Sequence, residues 1–400
     1  MLIELYDIQN RISKQVNDLP RRYLYDQINF KQRLIGIIGA RGVGKTTLLL
    51  QYLKTAYNDP TMALYVSADN ILVNGLGMRD IVAEHHRNGG KVLIIDEIHK
   101  LPDWAQTIKT IYDSYPEMNL IISGSSAFQI KTQGYDLSRR LFYYTLAGLS
   151  LREFIALKME RAVPVFSFSD ILTNHGKLAT ELNQEFNIFP LYREYLQHGF
   201  YPFWREGQAE YPQKIENILN KILYEDIPSA FPVKYDAIRQ LKRFLYIVAS
   251  SKPFQVNVSK LSRDLQIARE SLYQYLDFLD QSFVIHRLWL QSSGKAFQRK
   301  PEKLLLHNPN IISYLQPQAF IQNKGIMRET FFISQVMTTH KMYASSPADF
   351  EDDLGNQFEI GGKSKTAGQL DPQKNGYLVL DDISMGDKQR IPLYLFGFLY

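Results

Sequence analysis

Gly39-Ala40-Arg41-Gly42-Val43-Gly44-Lys45-Thr46 is the stretch on which the fold turns. It fits the pattern G-x-x-x-x-G-K-[ST], in which a glycine-rich turn directs backbone N–H groups at phosphate oxygens. The apolar run Leu34-Ile35-Gly36-Ile37-Ile38 precedes it and Thr47-Leu48-Leu49-Leu50-Gln51-Tyr52-Leu53 follows. Strand, turn and helix are the context this pattern requires. Gly39 and Gly44 permit a tight turn, and a helix starting near Lys45 adds its positive end. Lys45 is expected to reach the β- and γ-phosphates and the Thr46 hydroxyl to ligate Mg²⁺. Gly39, Ala40, Arg41, Gly42, Val43, Gly44, Lys45, Thr46 and Thr47 are the expected phosphate-binding residues. The competing reading is an ordinary glycine turn before a buried helix.

Working outward, Met62 to Ser67 reads as a buried strand, and Lys91-Val92-Leu93-Ile94-Ile95-Asp96-Glu97 as a central parallel strand with two carboxylates at its tip. Asp96 suits holding Mg²⁺ through water, as Walker-B aspartates do. Glu97 suits polarising the attacking water, and the doubled acid favours hydrolysis over binding alone. Leu101 to Tyr115 has helical spacing, with Leu101, Trp104, Ile108, Ile111 and Tyr112 on one face. Leu120 to Ser126 is a further buried strand ending in hydroxyls. Ser125 is the chosen γ-phosphate sensor there, with Ser123 as the alternative. Leu137-Ser138-Arg139-Arg140 precedes a fifth strand over 141–146, and Arg140 is a candidate for neutralising transition-state charge. The basic-aromatic segment Arg21 to Tyr25 has no legible function; a surface lid over the nucleotide is one reading of it.

The chain has 400 residues, 45% hydrophobic and 22% charged, with a formal net charge of +5. These are the proportions of a globular protein of two or three domains, and so small a charge announces no nucleic acid by itself. Cysteine is absent, which excludes disulfides and thiolate metal sites and is compatible with a reducing, cytoplasmic setting. No apolar run approaches a membrane span, and the N-terminus does not read as a secretion signal. The 25 Tyr and 23 Phe are read as core and sheet filling.

In order along the chain, IIGARGVGKTT, VSAD, DEIHK, SGSS, LSRR and GLSLREF resemble the prokaryotic AAA-type P-loop ATPases over residues 35–155. Ser123 stands where that pattern has Thr, Arg139 where it has Gly, and Arg140 aligns with its arginine. The resemblance implies ATP rather than GTP, and self-association in which one subunit's arginine completes the next site. It extends into a C-terminal domain thought to be related to restriction-endonuclease folds. The expected fold is α/β, a parallel-sheet core over 1–155, followed by a helical lid or connector over 156–235. A winged-helix domain over 236–295 and an α+β nuclease-like domain over 296–400 complete it.

Two short helices around a break at Gln266-Ile267-Ala268, then a strand from Val284 to Leu290, carry the winged-helix reading. Residues 231–270 hold eight Lys/Arg, Lys252 among them, against three acids, so double-stranded DNA is an expected partner through 231–280. Glu270 sits where base contacts would be made, and winged helices also bind proteins. For nuclease chemistry Asp349 and Glu359 are the candidate carboxylates, Glu329 a third, and Lys363 the candidate lysine. Three functions are therefore weighed: an ATPase coupled to DNA or protein, a slow nucleotide-gated switch, and an ATP-coupled nuclease.

Overall fold

The computed structural model describes residues 2–16, 20–57, 59, 61–125, 137, 139–250, 254–255, 257–291, 301–318 and 323–400. Ser126, Ser138 and Lys252 lie outside them. The chain divides into two compact units, Met1–Gly148 and Leu149–Tyr400, so the first cut falls shortly before the expected boundary at 155.

The first unit is a layered α/β fold. Strands β1 (Leu34–Ile38), β2 (Ala63–Ser67), β3 (Val92–Asp96), β4 (Asn119–Gly124) and β5 (Phe142–Thr145) form one sheet in the order β2-β3-β4-β1-β5. All its pairings are parallel. Helices α1 (Ile3–Lys14), α2 (Lys45–Ala56), α3 (Ile71–Leu76), α4 (Met78–Arg87) and α5 (Trp104–Ser114) alternate with the strands. β1 and β3 are buried at every position, which is why LIGII and VLII read as unbroken apolar runs. α5 is shorter than the expected 101–115 and buries Trp104, Ile108 and Ile111 from that face.

The free edge of β2 is covered by a side chain. The buried amide of Gln9 on α1 donates to the Ala63 carbonyl (3.1 Å) and accepts from the Tyr65 N–H (2.6 Å). It satisfies backbone groups that an open edge strand would leave exposed to pairing.

In the second unit α6 (Leu151–Met159) starts with a capping box: Ser150 Oγ accepts from Glu153 N, and Glu153 Oε2 accepts from Ser150 N. Helices α7 (Phe168–Glu185), α8 (Ile188–Glu194), α9 (Tyr211–Lys221) and α10 (Tyr235–Ser250) follow. α11 (Val258–Leu265) and α12 (Arg269–Gln281) turn about Gln266 at φ 54°, where the sequence placed its break. β7 (Ile285–Leu288) pairs with β8 (Lys303–Leu306), and β8 with β6 (Phe254–Gln255), all antiparallel. β7 is shorter than the expected 284–290, and its sheet runs past residue 295, where a domain boundary was expected.

After α13 (Pro309–Leu315), helix α14 (Lys324–Val336) packs on β8, on β11 and on the C-terminal turn Leu393–Phe398. The last sheet joins β9 (Met342–Ala344), β10 (Phe350–Asp352), β11 (Gln357–Gly361), β12 (Gly376–Leu380) and β13 (Arg390–Pro392). It is antiparallel over β9-β10-β11 and parallel over β11-β12-β13.

Candidate functional site

The turn from β1 into α2 gives its glycines two different jobs. Gly42 (φ 78°) and Gly44 (φ 97°) adopt the left-handed conformation that glycine takes freely. Gly39 is required for another reason: a Cβ there would lie 2.3 Å from the Leu146 carbonyl oxygen beyond β5. The Lys45 ammonium is buried and donates to the Gly39 and Ala40 carbonyls, each at 2.9 Å. Burial pulls its pKa below the ordinary lysine value, while Glu97 and Asp96 pull it back up. Two of its three N–H donors are thus held by the loop itself.

Arg22 supports this loop. Its buried guanidinium donates to Val43 O at 2.6 Å, Ala147 O at 2.8 Å and Gly148 O at 2.9 Å. Beside it Tyr23 Oη donates to Thr145 O (3.1 Å) and accepts from Ala147 N (3.2 Å). Within the segment 21–25, Arg22 thus braces the phosphate loop against the exit of β5. Three clustered carbonyls draw an arginine inward because their partial charges replace the water it loses.

At the tip of β3 four groups converge on Asp96. Thr46 Oγ1 donates to Oδ2 at 2.5 Å and Tyr65 Oη to the same oxygen at 2.9 Å. Ser123 Oγ donates to Oδ1, which also accepts from Glu97 N at 3.0 Å. Burial, then the nearby Asp96 charge, raises the Tyr65 pKa far above the ordinary phenol value, so Tyr65 stays a donor. Ser123 thus holds the Asp96 carboxylate, while Ser125 Oγ donates to Glu97 Oε2 at 3.2 Å.

In a continuing strand Glu97 would face the opposite side from Asp96. Instead it takes the left-handed conformation at φ 51°, a strained choice for a side chain with a Cβ. The turn brings its carboxylate to Ser125 and to His99, whose Nδ1 lies 3.4 Å from Glu97 Oε2. Tyr65 carried no signal in the sequence, where a strand tyrosine looks ordinary; His99 lay within DEIHK and Arg22 within the basic-aromatic segment 21–25, but neither was assigned a role there.

The donor set fits nucleotide phosphates and Mg²⁺. Hard oxygens of Thr46 and Asp96 meet at the loop's helix end, as a small divalent cation bound partly by phosphate requires. The loop N–H groups, the α2 N-terminus and Lys45 suit the phosphates. Arg140 is placed elsewhere on this unit: its guanidinium lies 3.3 Å from Asp113 Oδ1 and 5.6 Å from the Tyr112 ring of α5.

In the second unit, Glu329, Asp349 and Glu359 share one cluster with two lysines. Lys303 Nζ lies 2.9 Å from Glu329 Oε2 and 3.4 Å from Asp349 Oδ1, and Lys365 pairs with Glu359. Asp349 Oδ2 accepts from Ile360 N at 2.9 Å. The lysine expected here, Lys363, is exposed and does not fill that place. β11 ends at Gly361, and the turn closed by the Lys365 N–H on Gly362 O returns Lys365, not Lys363, to Glu359. Burial raises the Glu329 pKa to about 7 against the pull of Lys303.

Residues 31–155 match the model of a family described as an AAA domain (AAA_14), and residues 190–319 match a domain of unknown function, DUF8612. The first match spans the five-stranded parallel sheet and the site above, so this part of the chain is similar to an AAA domain. An uncharacterized protein of Methanocaldococcus jannaschii, MJ1637, is 26% identical over 334 residues, covering 76% of this chain and 70% of the relative.

Among solved structures, the S. cerevisiae Hsp104–ADP complex is similar at 18% identity and a TM-score of 0.34. That match covers 68% of this chain and 41% of the Hsp104 chain, so this chain spans less than half of it. The Aeropyrum pernix ORC1 protein in complex with DNA is 11% identical at a TM-score of 0.31, covering 79% of this chain and 93% of that one. AMPPCP-bound DnaA from Aquifex aeolicus is 13% identical at 0.27, covering 81% and 96%.

Proposed function

We propose that the protein binds and hydrolyses ATP with Mg²⁺ and couples turnover to a DNA or protein partner. The observation that carries this reading is the meeting of Thr46 and Asp96 at 2.5 Å beside the buried Lys45 ammonium, with Glu97 next along the chain. When bound, Mg²⁺ neutralises phosphate charge. Lys45 leaves the Gly39 and Ala40 carbonyls to bind phosphate oxygens. Glu97 accepts a proton from the attacking water, and Ser125 fixes the carboxylate that does so. Arg140 acts on a neighbouring copy in a homo-oligomer, which requires it to leave Asp113. Exposed Arg263, Arg269 and Glu270 around the α11–α12 turn would form the face toward double-stranded DNA.

Steady-state hydrolysis with Mg²⁺, with and without double-stranded DNA, tests this. Lys45→Ala and Glu97→Gln should each lower kcat by roughly 100-fold or more. Wild-type turnover persisting in Lys45→Ala would overturn the assignment. Turnover equal in wild type and Glu97→Gln would make the protein a nucleotide switch.

The meeting of Glu329, Asp349 and Glu359 favours a second reading, metal-dependent phosphodiester cleavage by the second unit. Its test is Mg²⁺-dependent nicking of plasmid DNA, lost in Glu359→Ala. An intact plasmid across Mg²⁺ and Mn²⁺ would dismiss it.

A further inference from the structure

We infer that His99 is a positioning residue for ATP hydrolysis: a neutral imidazole donates Nδ1–H to Glu97 and, with Ser125, holds the base carboxylate toward the attacking water. This rests on the ATPase reading above and names how its base is aimed.

The observations are local and independent of the loop motif. The His99 side chain is 2% exposed, yet among the described residues neither ring nitrogen has a well-aligned hydrogen-bond partner. A buried imidazole in that condition forfeits its hydration without replacement. The polar atom beside it is Glu97 Oε2, 3.4 Å from Nδ1. Without ligand, hydrogen bonds that serve catalysis are often this long and tighten in the reacting complex. The same oxygen accepts from Ser125 Oγ at 3.2 Å. Two donors from different elements, the turn after β3 and the end of β4, therefore converge on one carboxylate oxygen.

The ring is neutral at working pH. Burial first, then Lys100, Arg41 and Lys45, push its pKa down to about 3, with Asp96 opposing. A neutral imidazole carries one N–H, and the neighbour of Nδ1 is an acceptor, which selects the Nδ1–H tautomer. That choice matters for Glu97. An imidazolium would form an ion pair with the carboxylate, whereas a neutral donor orients it without adding a charge.

The full-length chain is assayed for kcat and KM of Mg²⁺-ATP as wild type, Lys45→Ala, His99→Ala and His99→Gln, with folding checked by circular dichroism. His99→Ala should lower kcat by about 10- to 100-fold with KM for ATP little changed. His99→Gln, whose amide also donates one N–H toward Glu97, should recover most of that loss. Unchanged kcat in His99→Ala, equal losses in both variants, or a rise in KM alone would each overturn the inference.

Side-chain ¹⁵N NMR, with His99 assigned from the Gln variant, gives a readout that does not need turnover. Nδ1 should carry the proton and shift in Glu97→Gln, whereas an Nε2–H tautomer indifferent to that change would overturn it. Full turnover in Lys45→Ala, or none in wild type, would instead discard the ATPase reading, and the tautomer would still decide the His99–Glu97 contact.

Discussion

Asp96 is the residue on which the site's hydroxyls agree. Thr46, Tyr65 and Ser123 all donate to it, and a carboxylate ordered this way presents its remaining lone pairs in fixed directions. Tyr65→Phe removes one donor and keeps the ring that fills the space. We expect a cost of about 1 kcal/mol in stability and a roughly 10-fold loss in Mg²⁺-dependent activity, as for other groups that orient a metal ligand. A Mg²⁺ titration of turnover beside a thermal melt checks it, and an unchanged Mg²⁺ dependence would contradict the role. The places of Lys45 and Thr46 at the start of α2 and of Asp96 at the tip of β3 were legible because each lies in a short run of local geometry. Tyr65 was not, since nothing in ALYVS separates a core tyrosine from one whose hydroxyl crosses to β3.

Among elements, the phosphate loop depends on two segments far from it in sequence. Arg22 ties Val43 to Ala147 and Gly148, and Gln9 holds the edge strand that carries Tyr65. Removing Arg22 leaves several carbonyls short of a partner in a buried place. Arg22→Ala should therefore cost about 2–4 kcal/mol and weaken ATP binding, read by chemical denaturation and by titration with a fluorescent ATP analogue. Lysine should not rescue it, because a single ammonium cannot span carbonyls that a planar fork reaches together. ATP affinity retained in Arg22→Ala would show that the loop keeps its shape unaided. The helix–turn–helix over α11 and α12 was legible from apolar spacing around Gln266. The pairing of β7 with β8 was not, because β8 lies beyond residue 295, where the sequence reading had already closed the domain.

At the scale of the molecule, the second unit should answer to pH through Glu329. Its carboxyl has a folded pKa of about 7 against an ordinary 4.5, with burial as the first cause, Lys303 opposing it, and Asp349 and Glu359 adding to it. Between those values the folded state keeps a proton that the unfolded chain has released. Stability is therefore lost as pH rises through that window, by ~3 kcal/mol from this group. The urea midpoint of the second unit should fall from pH 5 to pH 8, and Glu329→Gln should flatten that slope. A midpoint that rises with pH in wild type, or a slope unaltered by the substitution, would contradict it. Among the described residues no helix is long and apolar enough to cross a membrane.

By itself the sequence determined the placements that are local in the chain: a glycine turn, a lysine and a threonine at a helix start, and two acids at a strand end. Backbone geometry over a few residues fixes such groups relative to one another, so spacing is enough to read them. Only the tertiary structure decided which hydroxyls meet Asp96, that Arg22 is buried under the loop, that His99 faces Glu97, and that Lys365 rather than Lys363 returns to Glu359. Those meetings depend on strand order, register and the path of a turn, which are set by pairings between residues remote in sequence.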